Sequence, residues 1–187
     1  MNLPNKLTVF RVILIPFFVL FMLANPVGDA SKFVAVGIFV IASLTDLLDG
    51  KIARARNLVT NFGKFADPLA DKLLVSAALI CLSDNSILLP ADGKIPSWIV
   101  IIIISREFII SGFRTLAADC GVVLAAGWWG KVKTTCQMIM IIVLIIHLDV
   151  VGYGIVEALL VYASLFFTVF SMIDYLSKNI RLLTEEM

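Results

Sequence analysis

Long apolar stretches separated by short polar breaks make up most of the chain. The first covers about Thr8 to Ala24 and stops at Asn25-Pro26. The second runs from about Ser31 past Asp49, and the third from near Lys64 to Ser83-Asp84-Asn85. After a break holding Pro90, Asp92, Gly93 and Pro96, the fourth spans about Trp98 to Ala118. The fifth follows from about Lys131 to His147, and the sixth from about Ile155 to Leu176 beyond Gly152 and Gly154. Each is near the ~20 residues that a helix needs to cross a hydrocarbon core. In lipid only helices and closed barrels satisfy their own backbone groups. Unbroken runs such as Ile99 to Ile104 and Ile139 to Ile146 lack the alternation of barrel strands. The pattern predicts an all-α polytopic membrane protein of six transmembrane helices. A short interfacial segment over residues 1–7 precedes them, with Pro4 discouraging helix there.

Composition agrees. Of 187 residues 60% are hydrophobic and 16% charged, against about 45–50% and about 25% in ordinary soluble domains. The length suits one domain, 1–187. A net charge of +1 with no basic tract gives no reason to expect nucleic acid as a partner. Cys81, Cys120 and Cys136 are scattered without a C-x-x-C pair and read as small packing residues. Lys6 and Arg11 precede the first apolar run, but no small-residue cleavage site follows, so the run is read as a retained helix. With six spans, Lys6, Arg11, Lys51, Arg54, Arg56, Lys64, Lys72, Arg106, Arg114, Lys131, Lys133, Lys178 and Arg181 fall toward one side, and only Lys32 and Lys94 toward the other. The positive-inside rule then makes both termini cytoplasmic in a cell membrane.

The costly feature is the stretch D-L-L-D-G-K-I-A-R-A-R-N-L-V-T-N-F-G-K-F-A-D-P-L-A-D, residues 46–71. A carboxylate at the centre of a membrane helix costs roughly 2.5–3.5 kcal/mol on insertion scales, so the four here need compensation. Asp46 and Asp49 are three apart and Asp67 and Asp71 four apart, which on helices places each pair on one face. Clustered carboxylates either raise their own pKa values or bind cations. Oxygen-only ligands favour Mg2+ or Mn2+ over zinc, and two such ions about 3.5–4 Å apart are a usual clamp for displacement at phosphorus. Gly50 leaves the backbone open beside Asp49, and Arg54, four residues on, can grip a phosphate bidentately. The aspartates lie at the cytoplasmic ends of two spans, where polar substrates arrive. A charged hairpin that only sets topology would need Lys and Arg, not four facing acids.

The stretch fits D-x2-D-G-x2-A-R-x8-G-x3-D-x3-D at every fixed position: Asp46, Asp49, Gly50, Ala53, Arg54, Gly63, Asp67 and Asp71. It thereby resembles the CDP-alcohol phosphotransferases, a family whose six-span fold agrees with the pattern above. The resemblance implies that Asp46, Asp49, Asp67 and Asp71 hold two divalent cations, with Asp71 also the general base. It implies that Gly50, Arg54 and Thr60 contact the CDP group, joined by Asn5, Thr8 and Arg11 of the motif N-K-L-T-V-F-R. Asn5 and Thr8 read equally well as helix-capping residues, and both roles can coexist. Family resemblance also implies a homodimer.

Ser105-Arg106-Glu107 sits inside the fourth apolar run, Arg114 lies eight residues later, and Gly130-Lys131-Val132-Lys133 opens the fifth. Intramembrane cations are functional by default. Converged on one place, Arg106, Arg114, Lys131 and Lys133 would hold a doubly charged phosphate. Alternatively Arg106 pairs with Glu107 or an aspartate, and the others anchor the interface. The segments N-L-P-N-K-L-T-V-F-R, S-R-E-F-I-I-S-G-F-R and G-K-V-K-T resemble the family members that move the phosphatidyl group of CDP-diacylglycerol onto sn-glycerol 3-phosphate. Their products are phosphatidylglycerophosphate and CMP. Sister activities with inositol phosphate, serine or a lipid alcohol as acceptor remain open. A cation transporter would explain the acids but not Gly50, Arg54 and Gly63 at their spacing. It would also favour carboxylates nearer the midplane. His147, beside Asp149, reads as an interfacial residue rather than a ligand, and Trp98, Trp128 and Trp129 as interfacial anchors.

Overall fold

The computed structural model describes residues 3–55, 61–84, 93–119, 122, 124 and 127–179; of residues 3–4, 47–55, 61–68 and 119 the backbone path alone is described. Six helices occupy most of this length: α1 (Leu3–Leu23), α2 (Ala30–Ala55), α3 (Asn61–Cys81), α4 (Ser97–Asp119), α5 (Trp128–Ile146) and α6 (Tyr153–Asn179). Among the described residues three stretches, Asn5–Leu23, Trp128–Ile146 and Tyr153–Asn179, are long and apolar enough to cross a membrane. The helix α4 carries four charged residues, Arg106, Glu107, Arg114 and Asp119.

Two differences from the expected pattern stand out. The interfacial lead-in over residues 1–7 is not a separate segment, because α1 is already helical at Leu3. Pro4 falls in the first turn, where its missing N–H has no intrahelical partner to lose and its fixed φ suits a helix start. The fold is also not wholly helical: β1 (Ser83–Asp84) pairs in parallel with β2 (Ile95–Pro96), and the Ser97 hydroxyl donates to the Asp84 carbonyl at 2.7 Å. Such a short pairing between distant residues leaves no periodic trace in a sequence.

The chain forms two compact units, Met1–Leu82 and Ser83–Met187. In the first, α1 packs against α2 and α3. Phe18 meets Phe39 with ring centroids 6.0 Å apart, and Ala35 and Ala42 flank Phe39 on the buried face of α2. On α3 the buried positions among the described side chains include Ala70, Leu74, Ala78 and Leu79. Small residues at two-turn spacing, Ala35 and Ala42 on α2 and Ala70 and Ala78 on α3, let helices approach closely where lipid supplies no hydrophobic drive. Asn25 (φ 47°) and Gly28 (φ 60°) turn the chain between α1 and α2, and the Ser31 hydroxyl accepts the Val27 N–H at 3.1 Å.

In the second unit α5 and α6 form an antiparallel hairpin. Trp129 meets Phe170 edge-on at 4.8 Å near one end, and His147 meets Glu157 near the other. Trp129 is therefore partly a packing residue, whereas Trp128 is 71% exposed. The His147–Glu157 contact, 2.7 Å from Nδ1 to Oε1, gives the buried acid at the start of α6 its partner. Gly93 (φ 70°) packs on this end of α5, where a Cβ would lie 2.7 Å from the Leu144 carbonyl oxygen and 3.1 Å from the His147 Cβ. Gly93→Ala is thus expected to destabilise the unit by about 1–3 kcal/mol through strain alone, read as a lower melting temperature in detergent; an unchanged value would mean the loop does not hold this conformation.

Candidate active site

The helix α2 is continuous through Ala55 and α3 begins at Asn61, so all four aspartates lie on helical backbone. Asp46 and Asp49 are one turn apart on α2, as are Asp67 and Asp71 on α3. The side chains of Asp49 and Asp67, with Gly50 and Arg54, lie outside the described residues, as does Thr60 altogether. Asp46 and Asp71 are both half-buried. Just before Asp46, the Ser43 and Thr45 hydroxyls donate back to the Phe39 and Ile41 carbonyls at 2.7 and 2.5 Å, so they add no unsatisfied polar group to an apolar helix.

From α1, Asn5, Thr8 and Arg11 are all buried, on one face at three-residue spacing. Arg11 is fully buried, and its NH1 lies 2.6 Å from Oδ1 of Asp46. The structure thus brings together two residues that the sequence suggests for different tasks, one for the nucleotide and one for metal. A guanidinium against a carboxylate neutralises both charges in an apolar bundle and fixes the rotamer of Asp46.

A second polar cluster joins α4, α5 and α6. Glu107 Oε1 takes the Lys133 ammonium and lies 3.2 Å from Arg106 NH1. The other terminal nitrogen of Arg106 donates to the Ser171 hydroxyl at 3.0 Å. Lys133 and Arg106 are 2% and 8% exposed. Of the four suggested phosphate-binding cations, these two converge and share one counter-ion. Arg114 stands apart, about 12 Å further along α4 by helical rise. Its Nε donates to the Tyr175 hydroxyl at 3.2 Å, and the guanidinium lies 5.3 Å from the Tyr175 ring centroid. Lys131 is exposed. The pairing of Arg106 with Glu107 is one of the two alternatives the sequence leaves open, and it coexists with convergence on Lys133.

Ser171 and Tyr175 were not legible as partners. The signal available was a buried row on α6, with Glu157, Val161, Ser164, Thr168, Ser171 and Tyr175 at alternating spacings of four and three. In a membrane helix such a polar row marks the side that faces other helices.

A model of the CDP-alcohol phosphatidyltransferase family matches residues 1–170. The chain belongs to this family. It is 47% identical to a CDP-diacylglycerol–glycerol-3-phosphate 3-phosphatidyltransferase of Bacillus subtilis, with 95% of each chain covered. Proteins of the same name from Haemophilus influenzae and Escherichia coli K12 are each 42% identical, covering 94% of this chain and 91% and 93% of theirs. For a CDP-alcohol phosphatidyltransferase Asp46, Asp49, Asp67 and Asp71 would make a chemically apt donor set, since all-oxygen ligands suit hard divalent cations. Among the described residues no three His, Cys, Asp or Glu side chains gather as a metal site. The Asp46 side chain is 32% exposed despite its contact with Arg11.

Proposed function

We propose that this protein transfers the phosphatidyl group from CDP-diacylglycerol to sn-glycerol 3-phosphate, releasing CMP and leaving phosphatidylglycerophosphate in the membrane. The observation that carries the reading is the match with relatives named for this reaction, at 42–47% identity over nearly the whole of both chains. The buried Arg106–Lys133 pair supports it, because an acceptor bearing a phosphate needs cations that serine or a neutral lipid alcohol would not.

Asp71 accepts the proton of the acceptor hydroxyl, whose oxygen forms the new bond to the lipid-side phosphorus while the bond to the CMP oxygen breaks. Gly50 lets the diphosphate approach the α2 backbone, and Arg54 with Thr60 contacts the CDP group. Asn5, Thr8 and Arg11 complete the nucleotide contacts, and Arg11 also orients Asp46. Arg106 and Lys133 take the acceptor phosphate, with Arg114 and Lys131 adding to the positive field around it. Asp46, Asp49, Asp67 and Asp71 would hold two divalent cations, Mg2+ or Mn2+. Bound there, these ions supply positive charge to the diphosphate and to the departing CMP.

Residues 1–187 act as one catalytic domain. In the cell membrane all six helices cross the bilayer with both termini and the aspartates on the cytoplasmic side, which fits the distribution of Lys and Arg. The working form is a homodimer.

The test is CMP release by purified protein given CDP-diacylglycerol with sn-glycerol 3-phosphate, inositol phosphate, serine and a lipid alcohol in parallel. Release is expected with sn-glycerol 3-phosphate above all others. It should stop on chelation and return with Mg2+ or Mn2+. Preference for another acceptor would reassign the substrate, and release that survives chelation would remove the cations from the reading.

A further inference from the structure

The buried rows of α5 and α6 hold two polar groups that the packing leaves unanswered. Gln137 and Ser164 are 2% and 0% exposed. Neither the Gln137 Nε2 nor the Ser164 Oγ has a hydrogen-bond partner among the described residues. The next hydroxyls of the α6 row differ: Thr168 donates to the Ser164 carbonyl at 2.7 Å and Ser171 to the Thr168 carbonyl at 3.1 Å. Bonding back to a carbonyl of its own helix is the usual resort of a hydroxyl in an apolar helix. The α5–α6 hairpin fixes where the two groups stand. Its ends are marked by the Trp129–Phe170 and His147–Glu157 contacts. Gln137 lies a little under halfway from Trp129 to His147, and Ser164 a little under halfway from Phe170 to Glu157, so both stand at one level. Gln137 follows Lys133 by one turn on the same buried face, about 6 Å along the axis. Ser164 lies two turns from Ser171, whose hydroxyl accepts from Arg106. The polar rows thus run on from Arg106 and Lys133 to a neutral amide and a neutral hydroxyl on two packed helices.

We propose that Gln137 and Ser164 bind the free secondary hydroxyl of the acceptor, the one that takes no part in the transfer. The identification rests on the reaction proposed above and deepens it, naming what recognises the glycerol rather than the phosphate. Burying an amide or a hydroxyl without a partner is costly. A ligand hydroxyl accepts from an amide N–H and donates to a second oxygen at once, so one group satisfies both Gln137 and Ser164. An ionised group would find no counter-charge in either. In sn-glycerol 3-phosphate the free hydroxyl stands on the carbon next to the one that bears the phosphate ester. With the phosphate on Arg106 and Lys133, that hydroxyl falls within the single turn separating Lys133 from Gln137. An acceptor lacking it leaves both groups unpaired, and a site built to hydrogen-bond a hydroxyl rejects such an analogue. Gln137 and Ser164 therefore set specificity for the polyol, while the cations hold its phosphate.

The experiment is titration calorimetry of the full chain in detergent with sn-glycerol 3-phosphate and with 3-hydroxypropyl phosphate. The second compound keeps the phosphate and the reacting hydroxyl but lacks the secondary one. Wild type is expected to bind sn-glycerol 3-phosphate about tenfold or more tightly than the analogue. Gln137→Leu and Ser164→Ala should each narrow that ratio to about threefold or less, by weakening sn-glycerol 3-phosphate rather than by strengthening the analogue. In CMP release the ratio of kcat/KM for the two acceptors should narrow in step. Each substitution removes an unpaired polar group, so the melting temperature without ligand should hold or rise. A merely structural role would weaken both compounds alike, and an unchanged ratio overturns the proposal. Equal binding of the two compounds by wild type overturns it as well, leaving water alone to serve the two groups. Should Gln137→Leu fail to fold, Ser164→Ala, which removes a single oxygen, carries the same comparison. Should the binding ratios behave as expected while neither acceptor releases CMP, the proposed reaction fails and the hydroxyl site stands. Should transfer to sn-glycerol 3-phosphate occur while the variants keep the wild-type ratio, the hydroxyl site alone fails.

Discussion

Asp71→Asn is expected to lower the rate of CMP release by about 10²–10⁴, the usual contribution of a positioned base, while the protein still folds and inserts. Asparagine has the same shape but cannot take up the acceptor's proton. It also removes one of the four negative charges. Asp71 lies on α3 one turn beyond Asp67, half-buried beside the packed residues Ala70 and Leu74. An isosteric change there leaves that packing intact, so the melting temperature in detergent should move little. Single-turnover CMP release with saturating acceptor separates chemistry from binding. Near-normal release in this variant would take proton acceptance away from Asp71.

The helices were legible because apolar runs of membrane length leave little choice of structure, and the expected spans agree with α2 to α6 within a few residues at most ends. The start of α1 was not, because Pro4 can mean either a barrier to helix or a first-turn residue, and only the chain's path decides. The aspartates were legible for a different reason: spacings of three and four on a helix fix a shared face without knowledge of tertiary structure. Contacts between helices carry no such rule. Nothing in N-K-L-T-V-F-R says that Arg11 reaches Asp46 on the next helix, or that Ser171 and Tyr175 of α6 receive Arg106 and Arg114 of α4. Arg106 and Arg114 in the fourth run, with Lys131 and Lys133 at the opening of the fifth, suggested four convergent cations; the structure joins Arg106 and Lys133 through Glu107, sets Arg114 against Tyr175 and leaves Lys131 exposed.

Arg11→Met tests the contact that sequence reasoning could least anticipate, and two effects are expected from it. The guanidinium is fully buried, while the Asp46 side chain keeps 32% of its exposure. Removing one member of a fully buried pair costs about 3–5 kcal/mol; the partial hydration of Asp46 reduces this to roughly 1–3 kcal/mol. A lower melting temperature in detergent should follow. Turnover should fall by about 100-fold or more, because without the guanidinium against it the Asp46 carboxylate shifts outside the tight tolerance that positioned groups demand. Arg11→Lys should lie between, since an ammonium keeps the charge but loses the planar fork. The deciding variant is Arg11→Met with Asp46→Asn. Taking away both charges should restore much of the lost stability, as replacing a whole ion pair costs far less than breaking it. Activity should stay lost, because the carboxylate of Asp46 is itself needed. If the double variant is no more stable than Arg11→Met alone, charge pairing with Asp46 is not what Arg11 contributes to the first unit, and the stability effect must be assigned to its packing within α1.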